Sequence, residues 1–76
     1  MGERALRANG KDVVAALRRN GWELVNVRGS HHYLRHASRR HKVTVPVHGT
    51  TMLQPKTLAS ILEQAELTAE ELRDML

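Results

Sequence analysis

Apolar residues change their spacing along this chain, and each change marks an element. Val13, Val14 and Leu17 share one stripe, which predicts a helix from Lys11 to Asn20. Asn9 stands where a capping side chain belongs, and Gly21 where a left-handed residue closes the last turn. Beyond Gly21 the spacing becomes strand-like. Trp22–Arg28 predicts a first strand, His31–His36 a second, and Lys42–Val45 a third that Pro46 ends. Gly29-Ser30 and the polar run 37–41 are the turns, so the strands should form an antiparallel meander. After a loop over 47–54, Pro55 suits a first helical position. Leu58, Ile61, Leu62 and Ala65 follow at helical spacing, and Glu66 leaves the stop of that helix undefined. Thr68-Ala69-Glu70-Glu71 reads as a capping box opening a terminal helix over 68–76.

The expected fold class is therefore α+β, in the order α-β-β-β-α plus a short C-terminal helix. Both long helices are one-sided, which puts them on one face of a three-stranded antiparallel sheet and leaves the other face to solvent. Residues 1–76 suffice for a single domain, with the aperiodic residues 1–8 expected to fray. A chain of this size buries only roughly 60% of the surface its unfolded form exposes. It has no cysteine, so neither disulfides nor thiolate metal sites support it. The longest apolar run is Val13-Val14-Ala15-Ala16-Leu17, far short of a membrane span, and the basic start lacks the apolar stretch of a secretory signal. A cytoplasmic location is the resulting expectation.

Charge narrows the function. The net charge of +4 conceals an asymmetry: residues 1–62 hold eleven basic and three acidic side chains, whereas Arg73 faces five acids over 63–76. A basic body suits a polyanion, because each neutralised phosphate releases counterions.

The richest stretch is Arg28-Gly29-Ser30-His31-His32-Tyr33. Neighbours on a strand point to opposite faces, so His31 goes with Tyr33 and Arg35, and His32 with Leu34 and His36. The first set resembles a nucleic-acid surface and the second a core, which makes His31 the exposed histidine. Imidazole ordinarily titrates near pH ~6.5, so His31 can take the proton of a ribose 2′-hydroxyl that then attacks the adjacent phosphorus. One positioned acid–base group contributes on the order of 10²–10⁴-fold, and charge stabilisation must add the rest. Arg28, Arg35, Lys42 and Lys56 are the available cations, and the step needs neither metal nor cofactor. Zinc is the competing use of these histidines. His32 and His36 share a face but stand roughly 13 Å apart, too far for one ion. A cross-strand trio of His31, His41 and His48 stays open at this stage. More simply, Tyr33 is a sheet residue, Trp22 core, Arg39-Arg40 a solvated turn, and the acidic tail a solvated helix face.

Four landmarks resemble the HicA toxins: Asn20-Gly21-Trp22, Val27 to His32, Val43 to His48, and Thr57 to Ala65, in order over roughly residues 9–68. The resemblance implies a double-stranded-RNA-binding-domain-like fold, cleavage of mRNA, and neutralisation by a HicB-type antitoxin protein, expected to cover the open sheet face. It places the essential histidine at His31 and the turn that presents it at Gly29. Arg28, Gly29, Ser30, Tyr33, Arg35, Lys42, His48 and Lys56 are the expected RNA contacts. Lys56 stands where many members have glycine before the Thr-Leu pair, Glu66 replaces a glycine near the helix end, and neither departure touches His31. The alternative function is a non-catalytic RNA- or DNA-binding module of the same fold; a third is an interaction protein with a polypeptide partner alone.

Overall fold

A computed structural model describes residues 6–76. The elements run α1 (Gly10–Arg19), β1 (Trp22–Arg28), β2 (His31–His36), β3 (Val43–Pro46), α2 (Pro55–Ala65) and α3 (Ala69–Met75). The strands lie in the order β1-β2-β3, each pair antiparallel. This is the α+β arrangement the sequence implies.

Local chemistry sets the helix ends. The Asn9 side-chain oxygen accepts from the Asp12 N–H at 2.8 Å, which satisfies one of the free donors at the start of α1. Asp12 near that end and Arg18 and Arg19 near the other complement the helix dipole. The chain leaves α1 at Gly21, whose φ of +94° suits a residue without a Cβ. Thr68 and Glu71 form the reciprocal capping box at the start of α3. The stop of α2, undefined in the sequence, is Glu66 in the left-handed region at φ +59°. A glycine would take that conformation at less cost.

The helices bury one face of the sheet. Val13 and Leu17 of α1, Leu34 of β2, Val43 and Val45 of β3, Ile61 of α2 and Leu72 of α3 are all essentially inaccessible to water. Each such side chain contributes about 1.5–3 kcal/mol relative to exposure. Arg19 ties the outermost helix in place by donating from Nη2 to the Met75 carbonyl at 2.9 Å.

Several expectations need correction. Ala8 does not fray: it is buried, and its carbonyl accepts from the Leu53 N–H at 2.9 Å while Asn9 bridges to Met52. Residues 1–5 of that expectation lie outside the described residues. The third strand is shifted by one residue, with Lys42 outside it and Pro46 as its last member. Proline fits because β3 is an edge strand, where a missing N–H breaks no ladder. The Thr44 N–H on that edge donates to the Gln64 Oε1 of α2 at 2.9 Å.

Candidate functional site on the open sheet face

The site begins with an irregularity in β1. Trp22, Glu23 and Leu24 pair with His36, Arg35 and Leu34, but the register shifts between Leu24 and Asn26. Val25 is the extra residue of a β-bulge, and it reverses the facing of everything after it. Without the bulge Arg28 would share the Trp22 face beneath the helices. With it, Asn26 pairs with Tyr33, Val27 with His32, and Arg28 with His31. Paired residues share a face, so Arg28 stands beside His31 in the open.

The open face can then be read across the strands. Arg28, His31 and Pro46 form one row, Asn26, Tyr33 and Thr44 the next, and Glu23 and Arg35 the last. His31, Arg28 and Arg35 are exposed. Lys42 extends the positive charge, its Nζ 4.8 Å from the centre of the Tyr33 ring. Such a contact half-covers Tyr33 and holds its ring and the ammonium together. Glu23 is the one acid in these rows, at the end farthest from His31.

Gly29 and Ser30 present His31. Gly29 has φ +59° while Ser30 stays out of the left-handed region, the pattern of a type II′ hairpin turn with glycine first. A Cβ at Gly29 would meet nothing within 4 Å, so its backbone conformation, not crowding, calls for glycine. The Ser30 carbonyl accepts from the Val47 N–H at 2.7 Å, which carries the strand pairing one residue past Pro46. That bond holds the His48 segment alongside the start of β2.

The other histidines are engaged elsewhere. His32 is half-buried on the helix side, its Nδ1 3.3 Å from the Ser30 carbonyl. His36 meets Trp22 edge-on, with ring centres 5.3 Å apart, and accepts from the Ser38 N–H. Among the described residues no three histidine or carboxylate side chains gather around a point that could hold a metal ion, so His31, His41 and His48 do not form a trio. Their places in the sheet explain why: His41 precedes β3 and His48 follows it.

Of the expected contacts, Arg28, His31, Tyr33, Arg35 and Lys42 come together on one face, with Gly29 and Ser30 as their turn. His48 sits beside this face, beyond Pro46. Lys56 does not join it, standing exposed in the first turn of α2. A groove of about 240 Å³ runs between these two regions, lined by Pro46, His48, Thr51, Gln54 and Thr57 among others. Sequence reasoning missed Asn26 as a site neighbour and missed the groove. The bulge did leave a trace: apolar positions switch from even-numbered Trp22 and Leu24 to odd-numbered Val25 and Val27.

Among the described residues no helix is long and apolar enough to cross a membrane. A comparison with curated proteins found no match. A family described as the HicA toxin of bacterial toxin–antitoxin systems matches residues 10–67, which takes in every element except α3.

Proposed function

The chain belongs to the HicA toxin family and is thus the toxin of a toxin–antitoxin pair; from that premise we propose that it is an endoribonuclease that cuts mRNA through His31. The observation that carries this reading is an exposed imidazole on a sheet face the helices leave bare, with Arg28 beside it and Arg35 and Lys42 farther along the same face.

His31 takes the proton from a ribose 2′-hydroxyl, and the 2′-oxygen attacks the neighbouring phosphorus in line. Arg28 stabilises the charge that builds on the phosphoryl oxygens, because a fixed cation acts on developing charge without reorganising water. Arg35, Lys42 and Tyr33 align the strand, the cations through phosphates and the ring by stacking on a base. Catalysis by protein groups alone needs no metal, and the reaction belongs to the cytoplasm where mRNA is found. A HicB-type antitoxin neutralises the toxin by laying an acidic or apolar element over the open face, where opposite charge favours rapid capture.

Incubation with mRNA in the presence of a chelator tests this. The wild-type chain is expected to cleave, and His31→Ala to lose at least about 10²-fold in rate while still binding RNA. Intact RNA after prolonged incubation with the wild type would refute the enzyme and leave a binding module. For the antitoxin, amide exchange over Arg28–Arg35 should slow in the complex; docking confined to α3 with His31 accessible would contradict the covering mode.

A further inference from the structure

Resting on the endoribonuclease reading above, we propose that His48 is a second catalytic group, the general acid that protonates the departing ribose 5′-oxygen. Proton removal by His31 accounts for half of the transfer. The 5′-oxygen must also gain a proton as its bond to phosphorus breaks, since an alkoxide leaves poorly near neutral pH.

Few groups in reach can give that proton and regain it. Arginine, lysine and tyrosine side chains ordinarily hold their protons too tightly near neutral pH, which sets aside Arg28, Tyr33, Arg35 and Lys42. His32 lies on the helix side of the sheet, half-buried against the Ser30 carbonyl. His36 packs on Trp22, and His41 sits in the turn before β3; both are at the end of the sheet away from His31. His48 is left. It is exposed, two residues past Pro46, the register partner of His31.

Antiparallel partners stand about 5 Å apart, and two extended residues add roughly 6.6 Å along the chain. The bond from the Val47 N–H to the Ser30 carbonyl holds this segment beside β2. The backbones of His31 and His48 are therefore roughly 8 Å apart by that geometry, and two imidazoles reaching from such positions bracket one phosphodiester. Pro46 and His48 also open onto the groove of about 240 Å³, where Thr51, Gln54 and Thr57 offer hydroxyl and amide groups to a sugar or phosphate. The nucleotide that carries the leaving oxygen runs into that groove.

In the step, His31 removes the 2′-hydroxyl proton, and the bond from the 2′-oxygen to phosphorus forms. The bond from phosphorus to the 5′-oxygen breaks, and the His48 imidazolium protonates that oxygen. The products are a 2′,3′-cyclic phosphate and a 5′-hydroxyl. Nothing is oxidised or reduced, and exchange with water returns each ring to its starting state.

A short RNA spanning a mapped cleavage site, made once with its ordinary 5′-oxygen and once with a bridging sulfur in its place, separates the two histidines. A thiolate leaves without needing a proton. His48→Ala is expected to cut the oxygen substrate about 10²–10⁴-fold more slowly than wild type and the sulfur substrate nearly as fast. It should also lose the alkaline limb of the pH–rate profile while keeping the acidic one. His48→Gln, which retains bulk and hydrogen bonding, should show the same pattern, whereas His31→Ala slows both substrates. The His48 side chain is exposed and the loop bond here is through its carbonyl to the Thr51 N–H, so matched melting curves establish that the variants are folded. Equal slowing on both substrates, or an unslowed oxygen substrate, overturns the role of His48 and leaves that of His31 standing. A wild-type chain that cuts neither substrate overturns the endoribonuclease reading and this assignment with it.

Discussion

Replacing Gly10 by alanine sets helix propensity against packing. Gly10 is the first residue of α1, where alanine would ordinarily be favoured by up to about 1 kcal/mol. Here the helix start is pressed against the end of β3. A Cβ at Gly10 would overlap the Pro46 carbonyl oxygen, and would sit 3.0 Å from the Pro46 carbonyl carbon and 3.1 Å from the Val47 Cα. All three are backbone atoms, so no side chain can swing aside. Overpacking costs about 1–3 kcal/mol, and a clash with backbone that cannot yield falls in the upper part of that range, about 2–3 kcal/mol, so subtracting the propensity gain leaves a net loss of about 1–2 kcal/mol. Against a total stability of about 4–11 kcal/mol for a chain of this length, that is a substantial fraction. Thermal unfolding should show a melting temperature lower by about 5–15 °C. Lys11→Ala, an exposed change in the same turn, should stay within about 0.5 kcal/mol of wild type and serves as the control. Because Pro46 is the register partner of His31, amide shifts at His31 and Val47 should move in Gly10→Ala and stay put in Lys11→Ala. A Gly10→Ala variant that melts at or above the wild-type temperature would refute the argument.

Two further outcomes test other parts of the molecule. Thr68→Ala removes the hydroxyl that accepts from the Glu71 N–H at 3.0 Å and should cost about 1 kcal/mol, or about 4–8 °C in a thermal melt; an unchanged melt would show that α3 does not depend on its cap. Arg28→Ala should flatten the dependence of log Kd on log salt for single-stranded RNA by about 0.7, the contribution of one lost phosphate contact, and an unchanged slope would place Arg28 off the RNA path.

The elements were legible because their ends carry specific chemistry. Asn9, Gly21, Gly29 and Thr68 each mark a boundary by a hydrogen bond or a backbone angle that few other residues supply. The exposure of His31 followed from strand parity and needed only the Leu34 side to be the buried one. Arg28 is a different matter. Its place beside His31 depends on the bulge at Val25, which strict alternation from Trp22 would have put wrong. Tertiary contacts decided what local pattern could not. Ala8 is held by the loop after β3, and the groove past Pro46 exists because α2 and that loop meet there. Glu66 in the left-handed region carries no local signature, since charged residues seldom take that conformation.

The treatment of β3 limits how this protein can assemble. Its outer side is closed by the Gln64 amide on Thr44 and by a proline that has no hydrogen to offer. β1, on the other flank, has no strand beside it among the described residues. A fibre must grow by adding a neighbour on both sides of every unit, and only one side of this unit is receptive. Strand-to-strand addition through the β1 edge therefore cannot be repeated on the far side of the sheet.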